Sequence, residues 1–317
     1  MKNKVLTPAL FLLLSLVLPC IALHAQSPVT FPSGDGTAQG FLYLPSGSGT
    51  HPAVVVIQEW WGVNNWVKEQ AQQFANEGYV ALAVDLYRGK VATDADMAHE
   101  LMRGLPQDRG VRDLTSAVAW LEHRPDVDPR RIGAIGWCMG GGFAAQLAVA
   151  DSNLKAVVIN YGSLPTDRTA LGQIHAAVLG NFGGLDRGIT PDDVHAFQAA
   201  MQSLGKSTDL KIYPDAGHAF ENPGNTTGYR AADADDAQHR SHQFLASQLT
   251  YTHEEMTPVP LMAPSRTASV AGAPCDRGIS ASQASSACDS LELDAAQPRP
   301  VFFLRRQVPD LLCNFGV

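Results

Sequence analysis

The chain is poor in charge, and what charge it has is not gathered anywhere. Asp, Glu, Lys and Arg make up 17% of its 317 residues, with a formal balance of −8. The 23 basic residues are scattered, so the basic stripe that nucleic-acid binding needs is missing. A mild acidic excess is ordinary solubility charge. No Cys-x-x-Cys pair occurs among the five cysteines, which argues against a structural zinc site. No repeat appears at solenoid periods. Long apolar runs are also missing, with the single exception of Leu10 to Ile21. A hydrophobic content of 45% fits a globular domain and excludes a chain disordered throughout.

The exceptional run follows Lys2 and Lys4 and leads into Leu23-His24-Ala25. A basic start, a short apolar stretch and a small residue at its end predict a secretory signal peptide over residues 1–25, with the mature chain starting near Gln26. The run is too short and wrongly flanked for a spanning helix, so no membrane attachment is expected once it is removed. Cys20 raises a lipoprotein reading that Pro19 before it disfavours. The expected location is the periplasm or the outside of the cell. Residues 251–317 are rich in small and polar side chains without periodicity, which predicts a disordered tail. Cys275, Cys288 and Cys313 lie in it, and Cys138 stands alone in the part expected to fold. Export permits disulfides, so a solitary core cysteine suggests a thiol kept for chemistry.

Residues 26–250 read as one α/β domain. Ala53-Val54-Val55-Val56-Ile57 and Tyr79 to Val84 are continuous apolar runs, as expected of strands covered on both faces. Further strands are expected at Ala38 to Leu44, Arg131 to Ile135, Lys155 to Ile159, Ala176 to Gly180 and Asp209 to Tyr213. Helical patterns cover Trp66 to Glu77, Ala95 to Arg103, Arg109 to His123, Gly142 to Val149, Asp192 to Leu204 and Arg230 to Leu249. Strands alternating with helices imply a mostly parallel sheet with helices on both faces. In such folds the chemistry lies beyond the C-terminal ends of the strands.

One such end carries Gly136-Trp137-Cys138-Met139-Gly140. Strand, sharp turn and helix are the context of a nucleophile elbow, so the α/β-hydrolase fold is the expectation, with cysteine in place of serine. The competing reading is a Gly-rich turn with an inert buried cysteine. A thiol nucleophile needs a base, and the base needs an orienting acid. The fold's order is nucleophile, acid, histidine, and Asp186 and His218 follow Cys138 on loops just past two later strands. Asp215, close to His218, is a rival acid. The amide of Met139, at a helix start, is one candidate oxyanion donor, and the amide of Trp60 after the early strand is the other. Trp60 and Trp61 are read as walls of an apolar pocket, with plain packing as the alternative.

Gln58-Glu59-Trp60-Trp61-Gly62-Val63-Asn64, Val84-Asp85-Leu86-Tyr87, the elbow, and Ala216-Gly217-His218-Ala219-Phe220 together resemble the dienelactone hydrolase family, the carboxymethylenebutenolidases. The resemblance runs from about Gly36 to Leu249. It implies Cys138 as nucleophile, Asp186 as acid, His218 as base, and Glu59 as a glutamate that contacts the resting thiol and is displaced by substrate. A carboxylate beside a thiol disfavours its ionisation and so protects it from oxidation. The family's dienelactone enzymes hold a substrate carboxylate with two arginines. Here one of those positions is Gly89, with Arg88 directly after Tyr87, and the other is Asn222. Tyr87 remains as a hydrogen-bonding wall of the substrate pocket. The expected activity is hydrolysis of a small ester or lactone through a cysteinyl acyl-enzyme, with no metal or organic cofactor required. Two alternatives stay open: a thiol hydrolase of a thioester or peptide, and a secreted binding module on the same fold.

Overall fold

The computed structural model describes residues 26–250. The expected signal segment, 1–25, and the expected tail, 251–317, lie outside the described residues. Eight strands form one sheet: β1 (Ser27–Ser33), β2 (Gly36–Tyr43), β3 (His51–Ile57), β4 (Val80–Val84), β5 (Val127–Trp137), β6 (Ala156–Asn160), β7 (Ala177–Gly183) and β8 (Thr208–Tyr213). Their spatial order is β1-β2-β4-β3-β5-β6-β7-β8. β1 and β2 form an antiparallel hairpin, β2 runs antiparallel to β4, and every later pair is parallel.

Seven helices accompany the sheet among the described residues: α1 (Asn65–Asn76), α2 (Ala95–Arg103), α3 (Gln107–Glu122), α4 (Met139–Ala150), α5 (Arg168–Gln173), α6 (Pro191–Ser203) and α7 (Ala231–Leu249). Strand alternation sorts the core into two layers. Val55 and Ile57 of β3 belong to one buried layer with Leu114 and Val118 of α3, Ala144 of α4 and Phe197 of α6. Val54 and Val56, pointing the other way, pack with Val67 and Phe74 of α1 and Leu245 and Leu249 of α7. This is why the apolar runs of the central strands are unbroken: both of their faces are inside.

Local chemistry sets the helix starts. The Asn64 side chain caps α1 by accepting from Val67 N at 3.1 Å. Thr190 and Asp193 close a reciprocal capping box on α6, with Pro191 at its first position. Two elements were not anticipated. β1 contains Pro28 and Pro32, which weaken a strand reading, yet an edge strand with one partner tolerates them. α5 is six residues long, too short for a periodicity to show. β5 also begins earlier than expected, at Val127, and α4 begins at Met139, before the glycines that delayed its predicted start.

Candidate active site

Cys138 joins β5 to α4 with φ +55° and ψ −120°, a conformation that L-residues rarely adopt. The residues two positions to either side of it are glycines because no side chain fits. A Cβ at Gly136 would stand 2.1 Å from the carbonyl oxygen of Gly140, and one at Gly140 would stand 2.4 Å from the carbonyl oxygens of Ile57 and Gln58. The Cys138 amide donates to the carbonyl of Asn160 at 3.0 Å, which fastens the turn to the end of β6. The thiol is thus lifted off the sheet at the first turn of a helix, where amides have no intrahelical acceptor. The Met139 amide is the first of these.

Three loops from β5, β7 and β8 meet there. His218 Nε2 lies 3.1 Å from Cys138 Sγ, and His218 Nδ1 lies 2.7 Å from Asp186 Oδ2. The second oxygen of Asp186 accepts from the amides of Gly188 and Ile189 at 2.8 and 3.1 Å. Burial would raise this carboxyl, but His218 and the two amides outweigh it and hold it below the usual carboxylate range. Burial likewise opposes charge on His218. Once the thiol proton has passed to the ring, the anionic Cys138 sulfur and the Asp186 carboxylate prevail and hold it there, pushing the imidazole well above its ordinary value. Asp215, the rival acid, is exposed, and the imidazole is turned to Asp186.

Glu59, just past β3, is 1% exposed. Its Oε2 accepts from Asn222 Nδ2 at 2.5 Å and its Oε1 from Tyr161 Oη at 3.5 Å. Burial pushes the carboxyl up to about 7, against the lowering effects of Asn222, His218 and Tyr161. The glutamate–thiol contact implied by the resemblance is therefore not the one formed here. The carboxyl is turned to Asn222 and Tyr161, and the sulfur faces His218. Asn222, expected in the substrate pocket, is spent inside the protein, since its Oδ1 also accepts from Gly224 N at 2.8 Å.

Trp60 and Trp61 have ring centroids 4.9 Å apart, and His99 meets Trp60 edge-on at 4.7 Å. Tyr87 Oη donates to Met139 Sδ at 3.2 Å, bringing its ring to the residue after the thiol. Burial, with Cys138 adding, raises the Tyr87 phenol and keeps it a donor. Arg88 is turned elsewhere: its Nη2 pairs with Asp113 Oδ2 at 2.7 Å, and that carboxylate also takes Arg109 at 3.5 Å and the Ser33 hydroxyl at 2.6 Å. Among the described residues no group of three or more His, Cys, Asp or Glu is arranged to hold a metal ion.

The model of the dienelactone hydrolase family matches residues 38–249. The chain belongs to this family. A Methylorubrum extorquens protein provisionally named a carboxymethylenebutenolidase is 33% identical over 226 residues, covering 67% of this chain and 77% of the relative. An Escherichia coli protein with the same provisional name is 30% identical over 235 residues, covering 65% of this chain and 86% of its own. The crystal structure of a Klebsiella pneumoniae protein, provisionally titled a dienelactone hydrolase, superposes with a TM-score of 0.64 at 26% identity, covering 70% of this chain and 98% of that one. The chain is thus an enzyme of the α/β-hydrolase fold, a hydrolase of ester or lactone bonds.

Three neighbours of the site were not anticipated. Tyr161 (φ +38°) is fully buried just past β6, with its ring edge-on to His218 at a centroid distance of 5.4 Å. Its place beyond a central strand end was a usable signal. Trp137 directly precedes Cys138 and Glu221 lies three residues beyond His218, and only the folded chain brings them together, with Trp137 Nε1 donating to Glu221 Oε2 at 3.0 Å.

Proposed function

We propose that this chain is an exported hydrolase that opens a small ester or lactone with Cys138 as nucleophile, His218 as base and Asp186 as the group that orients the imidazole. The observation that carries this reading is the run of two hydrogen bonds, 3.1 Å from sulfur to imidazole and 2.7 Å from imidazole to carboxylate. It ends on a cysteine in the strained turn that a nucleophile elbow requires.

The steps follow from that geometry. His218 Nε2 takes the thiol proton as the sulfur bonds to the carbonyl carbon, and the displaced electron pair moves to the carbonyl oxygen. The amides of Met139 and Trp60 are the donors assigned to that oxygen, and losing one such donor costs about 10²–10³ in rate. Collapse breaks the acyl C–O bond, His218 gives its proton to the departing alkoxide, and a thioester remains on Cys138. With a lactone the alcohol stays tethered to the acyl group. Water then yields a proton to His218 and attacks the thioester, the acid departs, and the thiol recovers its proton. Glu59, held by Asn222 and Tyr161, is read here as the thiol's gate in its withdrawn position.

Trp60, Trp61 and Tyr87 are the pocket walls in this reading. Arg88 is tied to Asp113 and Asn222 to Glu59, so neither offers a cation to a substrate carboxylate. This supports an uncharged ester or lactone over dienelactone itself. Hydrolysis of p-nitrophenyl acetate by wild type and Cys138→Ala is the test. The wild type is expected to release nitrophenol with a transient gain of acetyl mass on Cys138, and the variant to stay folded and lose both. Substantial turnover by the variant would point to another nucleophile. N-terminal sequencing of protein recovered from the periplasm, expected to begin near Gln26, tests the export reading.

A further inference from the structure

Two residues that carry no chemistry of their own tie the two halves of the Cys138–His218 pair together. Trp137 is the last residue of β5 and directly precedes Cys138, and Glu221 lies three residues beyond His218. Trp137 Nε1 donates to Glu221 Oε2 at 3.0 Å, with the two residues 2% and 8% exposed. Each partner is itself fixed. The Trp137 ring meets Trp66 of α1 edge-on at 5.1 Å. On the other side, Asn225 Nδ2 donates to the carbonyls of His218 and Ala219 at 3.1 and 3.2 Å, and Phe220 is fully buried against Tyr161 and Tyr213. A shift at Glu221 therefore reaches the imidazole through a stretch with little freedom.

A carboxyl is a costly choice for this place. Its other oxygen, Oε1, is buried with no hydrogen-bond partner. Burial, with the Glu59 charge adding, pushes the group up to about 8 despite the indole. Packing alone would favour an apolar side chain. What the acid adds is one hydrogen-bond acceptor at a fixed point.

We propose that Glu221 is a positioning residue that, through Trp137, holds the elbow and the histidine loop at the spacing at which the sulfur can hand its proton to His218. This rests on the thiol-nucleophile reading above. Misplacing reacting groups by about 1 Å costs on the order of 10²-fold in rate.

The test compares full-length wild type with Glu221→Gln, Glu221→Leu, Trp137→Phe and the Glu221→Leu/Trp137→Phe double variant. One readout is kcat and KM on p-nitrophenyl acetate. The other is the pH profile of iodoacetamide alkylation at Cys138, followed by the mass of its peptide. Glutamine keeps an oxygen for the indole, so Glu221→Gln is expected within about 3-fold of wild-type kcat. Glu221→Leu and Trp137→Phe should each lower kcat by about 10- to 100-fold with little change in KM. Both should move the alkylation profile toward that of an unassisted thiol, and the double variant should be no worse than the weaker single one. Unchanged kinetics and alkylation in Glu221→Leu would overturn the proposal, as would losses that multiply in the double variant. If the wild type hydrolyses no ester, yet the alkylation profile moves in Glu221→Leu and Trp137→Phe but not in Glu221→Gln, the positioning role stands and the esterase reading fails. Should Glu221→Leu not fold, Trp137→Phe set against Glu221→Gln makes the same comparison.

Discussion

Replacing Glu59 by glutamine should make the protein more stable at neutral pH while disturbing its chemistry. The side chain is almost wholly out of water, and burial pushes its carboxyl from 4.5 to about 7. Between those values the unfolded chain has released this proton and the folded one still holds it. The folded state then binds more protons, so unfolding free energy falls as pH rises. At about 1.4 kcal/mol per pH unit, the penalty reaches about 3 kcal/mol once pH exceeds 7. Glutamine carries no such proton. Its carbonyl oxygen can still accept from Asn222, and its amide can donate to the Tyr161 hydroxyl. The gap in stability between Glu59→Gln and wild type should therefore widen by about 3 kcal/mol from pH 4.5 to pH 8. For a domain of this size that is a melting-temperature gap growing by about 6–12 °C. Urea unfolding of both proteins across that range measures it directly. Parallel stability curves would refute the argument, because they would mean that the buried carboxyl ionises at the same pH folded and unfolded.

Asp186→Asn should remove the group that orients His218 and favours its charge, lowering kcat/KM by about 10³–10⁴ with the fold intact. A loss under tenfold in the hydrolysis assay would mean that another acid does the work. The same carboxyl lies below its unfolded value, so its contribution to stability is present above that value and lost on acidification, and the melting curve of Asp186→Asn should lack that acid-side decline. Asp113→Leu strips Arg88, Arg109 and Ser33 of their shared partner and should cost about 1–3 kcal/mol of stability by urea unfolding. Ester turnover per folded molecule should persist, and its loss would show that Arg88 serves the substrate after all.

The parts of this molecule that could be read from the chain are those where one physical requirement dominates a short stretch. A strand covered on both faces must be apolar along its buried stretch, and residues 52–57 of β3, all of β4 and residues 156–159 of β6 are. A turn with a residue at φ +55° against a packed helix must be flanked by glycine, and Gly136 and Gly140 are. Residues just past strand ends could be nominated because topology sends them to one edge, and Cys138, Asp186 and His218 are hydrogen-bonded there in series. What could not be read is who satisfies whom. Asn222 looked like a lost arginine facing a substrate, and it is the partner of a buried carboxylate 163 residues away. Arg88 looked like a displaced clamp, and it is the counter-ion of Asp113 on α3. Buried polar groups must find partners, but the rule does not say which, because pairing across loops depends on side-chain geometry set by the whole fold. Trp137 and Glu221 illustrate the limit: they stand 84 positions apart, each within three residues of one of obvious chemical interest, and their pairing leaves no periodic trace in the sequence. The residues that hold a site in register are therefore the hardest to see in the chain, although displacing them should be felt at the sulfur almost as strongly as altering its direct neighbours.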